Sequence, residues 1–444
     1  MNLRAGVVLF LALVMFDGAV RKWVLPESEQ LVYIAKDVLL LGLLVTILMR
    51  QGMKMAPGLS GTALAGWLTA YGAVTALQVF NPSLPSSTLG LLGLKSHLLY
   101  AALLVVVPAA FQDTAAVART LRYLTVPIIL VLVFGMLQFY FPPDHLINRY
   151  VRGTSQDIAT FGLINKVRIT STFSYMSGMT VFVFFALCLG VALLAAGRWR
   201  LKSNKLAIAC IVAAIVVTPM TGARWIYYMA VLGMPVFLYS MVRSGMLHTR
   251  HTLRLIVLSS LAVTAISYGS IEALESFQYR RQSTSDTPTR VEGILLEPFR
   301  FGAEAGLLGY GVGATHQAAP VLLRDAGDYD WLPTRDFENE PGRIMLELGI
   351  VGFVIAFALR FILCRLAWVA MMNAETREEK ALAAGSLVFF VGHLVSPIVF
   401  NVTAGALYWF LAGVVATIHR DQHRRRVAAP QMSPGGVLAA RLLR

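Results

Sequence analysis

A chain of 444 residues that is 57% hydrophobic and only 14% charged, with a mean hydropathy of +0.66, carries more apolar surface than a soluble protein of this length can hide from water. This excludes an ordinary soluble globular domain and points to a lipid environment. The formal net charge of +14 is what basic cytoplasmic membrane loops also produce, so it is no argument for a nucleic-acid partner.

Apolar runs of roughly 16–23 residues, the length that crosses a bilayer core, recur along the whole chain. They fall near 5–20, 31–49, 61–80, 89–111, 120–141, 174–196, 206–220, 225–242, 255–270, 344–363, 381–399 and 402–419. The pattern predicts an all-α polytopic membrane protein of about 12 transmembrane helices. Helices one to nine occupy 1–270, a large loop with short helices occupies 271–342, helices ten to twelve occupy 343–419, and a basic tail fills 420–444. The first run lacks a small-residue cleavage site and is followed by further spans, so it reads as a retained helix. Cys188, Cys210 and Cys364 each lie inside an apolar run and have neither disulfide nor metal-ligand spacing.

Charge placement orients the chain. With the N-terminus in the cytoplasm, the inner connections carry Arg50 and Lys54; Arg119 and Arg122; Arg198, Arg200, Lys202 and Lys205; Arg243, Arg250 and Arg254; and Arg365, Arg377 and Lys380. Acids on that side are few: Asp113, Glu375, Glu378, Glu379 and Asp421. The excess of basic residues predicts both termini on the cytoplasmic side, with the tail against anionic lipid head groups. Two outer segments exceed what a connector needs, 142–173 and 271–342. The longer one holds a helix start at Thr287-Pro288 and glycines at 302, 306, 309, 311 and 313, so it reads as a folded extracytoplasmic cap.

Ionisable residues at a membrane boundary are costly and therefore functional candidates. Arg168 precedes the sixth span, Arg224 opens the eighth, and Arg280, Arg281, Arg290 and Arg300 lie in the large loop. Asp336, Glu338, Glu340, Arg343 and Glu347 surround the start of the tenth span. Arginines converging at one depth suit a phosphate or diphosphate held bidentately, and a nearby carboxylate suits a general base. Each residue also has a plain structural reading. An isolated boundary arginine such as Arg224 snorkels more often than it binds, Arg343 and Glu347 are spaced to neutralise each other, and acids at a helix start complement its dipole. His97 and His393, in apolar runs, read as satisfied core histidines. Gly309-Tyr310-Gly311-Val312-Gly313 lacks the strand and the Lys-Ser/Thr of a nucleotide loop. No residue spacing argues for a metal.

Several segments taken in order resemble the bacterial O-antigen ligase and O-antigen polymerase superfamily, and look closest to its exopolysaccharide-polymerase branch. They are Phe16-Asp17-Gly18-Ala19-Val20-Arg21-Lys22-Trp23; Asn81-Pro82 with Gly90 to Lys95; Arg168 to Tyr175 with Gly178; Thr221-Gly222-Ala223-Arg224; Arg290 with Gly309 to Gly313; and Glu347-Leu348-Gly349-Ile350-Val351-Gly352-Phe353. Ligases of that superfamily carry a histidine in a His-Asn context before the helix that follows the large loop. Here Glu338-Asn339-Glu340 stands in its place, which favours polymerase over ligase.

The resemblance implies a GT-C-like membrane glycosyltransferase of the bacterial inner membrane that uses no cofactor, metal or nucleotide. Its substrates would be a glycan on undecaprenyl diphosphate as donor and a second lipid-linked repeat unit as acceptor. A chain-length regulator or flippase would be a partner. Arg168, Arg224, Arg290 and Arg343 would hold the diphosphate. Arg290 together with Glu338 or Glu340 would serve catalysis, a glutamate acting as base. The alternative is a ligase that moves finished glycan onto lipid A core or protein. A glycolipid or anion transporter ranks below both, because the charges gather at one face and the spans show no repeat. Lys95 and His97 are the main charges placed deeper.

Overall fold

The computed structural model describes residues 2–52, 59, 62–151, 158–161, 166–197, 204–246, 272, 274–276, 278–279, 287–323, 332 and 339–428. Among them helices are the only extended regular elements, joined by turns and non-helical stretches, with a single isolated antiparallel bridge between Thr160 and Val167. The helices are α1 (Leu3–Ala19, extended by a wider turn to Val24), α2 (Glu29–Gln51), α3 (Ala63–Leu77), α4 (Ser87–Leu98), α5 (Leu103–Ala110), α6 (Thr114–Tyr140), α7 (Met176–Ala196), α8 (Lys205–Met220), α9 (Arg224–Arg243), α10 (Thr287–Ala305), α11 (Ala319–Leu322), α12 (Glu340–Met372), α13 (Arg377–Gly392) and α14 (Val402–Ala428).

Nine helical spans among the described residues are long and apolar enough to cross a membrane: Leu3–Val24, Pro26–Arg50, Ala63–Phe80, Ser87–Ala110, Thr114–Tyr140, Met176–Ala196, Arg224–Arg243, Glu340–Met372 and Val402–Ala428. Two further expected spans are the shorter helices α8 and α13, each of 16 residues. The span expected at 255–270 lies outside the described residues. The helix expected over 381–399 stops at Gly392, and α14 begins only at Val402. The intervening stretch leaves the helical path because its polar backbone groups are taken by two charged side chains of α12.

Helices α7 and α14 form the centre of the bundle, with 78% and 83% of their apolar windows buried, against 28% for the spans of α2 and α3. Apolar contact alone does not hold the ends together. At one end the guanidinium of Arg420 donates to the carbonyls of Phe111 (2.9 Å) and Gln112 (2.7 Å), and Asp421 accepts from the backbone N–H and hydroxyl of Thr114, both at 2.7 Å. These bonds satisfy backbone groups where α5 ends and α6 begins, which lipid cannot do. The opposite end carries the candidate site.

Candidate functional site

The site is organised by a break in α12. Gly349 adopts φ 63° and ψ −170°, a conformation open essentially to glycine alone. A Cβ there would lie 2.4 Å from the carbonyl oxygen of Leu307 and 2.6 Å from the amide nitrogen of Gly309. The turn after α10 inserts at this point. The amides of Tyr310 and Gly311 donate to the carbonyls of Leu346 and Glu347 (2.8 and 3.0 Å), and those of Ile350 and Val351 donate to Gly306 and Leu307 (3.0 and 3.2 Å). Groups orphaned by the break are thus satisfied by the turn rather than by water. The same turn is fixed from the other side by the Gln78 amide on the Leu308 carbonyl (2.6 Å) and the Asn81 amide on that of Gly309 (3.0 Å).

The half-helix before the break holds Glu340, Arg343 and Glu347. Glu347 is fully buried, and its Oε2 meets Nε2 of the equally buried His97 at 2.9 Å. The other oxygen accepts from the backbone N–H (3.0 Å) and hydroxyl (2.6 Å) of Thr315. Nδ1 of His97 lies 2.6 Å from the Tyr71 hydroxyl. The set is self-consistent for an imidazole that donates from Nε2 and accepts at Nδ1. Arg343 does not pair with Glu347 directly. Its Nε donates to the Thr315 hydroxyl (3.1 Å) and its Nη2 to the Thr315 carbonyl (2.6 Å), while its guanidinium lies 3.6 Å from the centre of the Phe400 ring. Thr315 therefore couples the arginine to the buried acid.

Beside this network, burial holds the imidazole of His316 below its ordinary value, opposed by the carboxylate of Glu347 and assisted by Arg343 and Lys95. Its Nδ1 accepts from the Ala318 amide at 3.1 Å.

Glu340 is only 1% exposed and is bonded on both oxygens. Oε1 pairs with Arg360, and Oε2 accepts the amides of Ile398, Val399 and Phe400 at 2.7, 2.9 and 3.2 Å. Arg360 in turn donates to the carbonyls of His393, Leu394 and Ser396. This ion pair holds the non-helical stretch 393–401 in place. A carboxylate with three amide donors and an arginine counter-charge is an anchor, and the base role expected for Glu340 does not fit it. Glu338, the other expected base, lies outside the described residues.

Of the elements that carry the remaining candidates, the start of α9 meets this stretch. Arg168 is 8% exposed; its Nε donates to the Thr221 carbonyl (3.1 Å) and its Nη2 to that of Gly222 (3.5 Å). Gly222, at φ +65°, lets the guanidinium in, because a Cβ would stand 2.6 Å from Arg168 Nε. Two residues on, α9 opens with the half-buried Arg224, and the Trp225 indole donates to the Ser396 hydroxyl at 2.5 Å. Arg290 lies in the first turn of α10, whose Glu297 accepts from the Asn339 amide at 2.8 Å. Arg343 and Trp225, the neighbour of Arg224, thus border one stretch, 393–401; Arg168 packs on the turn that leads into α9, and Arg290 lies one turn before the part of α10 that packs on the start of α12. Sequence reasoning passed over Arg360, although a charge inside an apolar run is itself a signal. His97 was legible only as a satisfied core histidine; its partner is Glu347.

No protein-family model matches this chain, and no curated protein matches its sequence. The fold and the placement of the charges define a multi-pass, all-helical membrane protein in which broken helices gather arginines and buried carboxylates at one end of the bundle.

Proposed function

We propose that this protein is a polysaccharide polymerase of the bacterial inner membrane, with both termini cytoplasmic and the site facing the periplasm. It joins repeat units carried on undecaprenyl diphosphate. The hydroxyl of one lipid-linked unit attacks the anomeric carbon of the glycan on the other. A glycosidic C–O bond forms, the bond from the anomeric carbon to the diphosphate oxygen breaks, and the hydroxyl proton passes to a base. Charge develops on the departing diphosphate, so fixed cations aimed at it lower the barrier. In this reading Arg168, Arg224, Arg290 and Arg343 hold that diphosphate. Glu338 takes the proton, because Glu340 is committed to Arg360.

The observation that carries the reading is the seating of Arg343 and of Trp225, beside Arg224, on the non-helical stretch 393–401, with Arg168 held by the carbonyls of the turn before α9, at one end of an apolar bundle. Arg168 and Arg343 are oriented by backbone carbonyls and neighbouring side chains, the preorganisation that diphosphate stabilisation requires. The order of the sequence segments that resemble the O-antigen polymerase branch supports it further.

The test is reconstitution of the full chain in vesicles with a lipid-linked repeat unit. Longer lipid-linked glycan is expected without added metal or nucleotide. Arg224→Ala lowers the yield by roughly 100-fold or more, the scale of removing one transition-state donor. Unchanged long-chain product from Arg224→Ala at equal protein level overturns the assignment. Finished glycan passed to lipid A core, with no elongation, identifies a ligase instead.

A further inference from the structure

A second group of cations stands where α1, α2 and α4 meet. The ring of Tyr33 has Lys36 Nζ at 4.1 Å, Lys95 Nζ at 4.7 Å and the Arg21 guanidinium at 5.2 Å from its centre. Two of these cations are neutralised: Lys36 pairs with Asp17 at 2.7 Å and Lys95 with Asp37 at 2.6 Å, while Tyr100 donates to the other Asp37 oxygen at 2.8 Å. Arg21 and Lys22 lie beside these pairs. Lys22 is 1% exposed and donates to the Thr170 hydroxyl (2.7 Å) and the Ser171 carbonyl (3.1 Å), both neutral. Arg21 donates to the Ser174 hydroxyl at 2.9 Å, and its Nε is buried with no partner. Glu29, in the first turn of α2, forms no ion pair among the described residues. The cluster therefore holds, beside its two ion pairs, a guanidinium with a buried N–H left unsatisfied, which is costly at a membrane boundary.

The cluster is open to an amphiphile. The Lys95 side chain is 27% exposed, and Leu91, one turn earlier on the same face of α4, is 59% exposed. Beside Tyr33 the exposed residues Leu31, Ile34, Val38, Leu41 and Val45 run down α2 at helical spacing. An anionic head group on the cations and an apolar chain along this stripe match the surface. The site also adjoins the one described above. Thr170, Ser171 and Ser174, which receive Lys22 and Arg21, closely follow Arg168. Lys95 and His97 sit two residues apart on α4 and so point to different faces, one toward Tyr33 and the other toward Glu347.

We propose that Arg21 and Lys95, gathered at Tyr33, bind the diphosphate of a second polyprenyl-linked glycan, the acceptor. This rests on the polymerase reading, in which both substrates carry a lipid diphosphate.

The test counts bound undecaprenyl diphosphate by native mass spectrometry on the full chain in zwitterionic nanodiscs. Wild type is expected to hold two molecules, the double variant Arg21→Gln, Lys95→Gln one, and Arg224→Ala one. A photoreactive polyprenyl diphosphate on wild-type protein is expected to label peptides within 21–38, which keeps the test independent of how the variants fold. Two molecules retained by the double variant, or no labelling of 21–38, overturns the acceptor site and leaves the polymerase reading standing. Loss in the double variant with none in Arg224→Ala supports the acceptor site and removes the donor assignment. Displacement by a tenfold excess of phosphatidylglycerol marks a general anionic-lipid site and also overturns the proposal.

Discussion

Replacing Glu340 with Gln distinguishes an anchor from a base. The amide has the same shape, so no cavity opens, but it cannot serve both sides of the carboxylate. One oxygen faces Arg360 and the other accepts three backbone amides. Whichever way the Gln side chain turns, its NH2 meets a donor, and Arg360, 5% exposed, loses its counter-charge. Removing one partner of a buried ion pair costs about 3–5 kcal/mol. For a chain of this size that corresponds to a fall of roughly 3–10 °C in unfolding midpoint. Because unfolding of such a protein is irreversible, wild type and variant are compared in one detergent at one scan rate. Adding Arg360→Gln to Glu340→Gln should recover part of the loss, giving a coupling of about 2 kcal/mol or more. A variant with wild-type midpoint and abolished glycan elongation would refute the anchor and restore Glu340 as a base.

Three further outcomes follow from the same geometry. Gly349→Ala should destabilise by about 3–6 kcal/mol, from backbone strain and weakening of the bonds across the break, and should halt elongation; a wild-type midpoint would show that the break is dispensable. His97→Ala strips Glu347 of its Oε2 partner and Tyr71 of its acceptor, costing about 2–5 kcal/mol, whereas His97→Gln should lose less; equal losses would argue against a hydrogen-bonding role. His316 is held below the ordinary 6.5 in the folded state, so below that pH the unfolded chain binds the extra proton and stability falls. Melting midpoints from pH 8 to 5 should decline in wild type below about 6.5 and decline less in His316→Gln.

Span positions were legible because lipid demands long apolar runs, and each of the nine membrane-length spans among the described residues lies where such a run was found. The helix expected at Thr287-Pro288 is α10. The ends of the broken helices were not legible. Glu347 to Phe353 reads as an uninterrupted apolar entrance to a span, and only the inserted turn from 306 to 311 shows that Gly349 leaves the helix. The run 381–399 likewise looks continuous, because the side chains that hold its last part open come from α12. Four-residue spacing suggested that Arg343 and Glu347 neutralise each other. Glu347 instead takes His97 from 250 residues away, and Arg343 reaches Thr315. Glu340 shows the same limit, since an acid at a helix start looks alike whether it meets water, a substrate or three distant amides.

The turn that enters α12 acts as a splice of fixed length. Residues 306 and 307 supply acceptors to one half-helix while 310 and 311 supply donors to the other, so the distance between the two sets is set by the two residues between them. One residue inserted between 307 and 310 would put one half out of register and strand polar backbone in lipid. Circular permutation or tag insertion should therefore fail there. The turn is consequently fixed in length, even though it is rich in glycine and has the composition of an ordinary flexible connector.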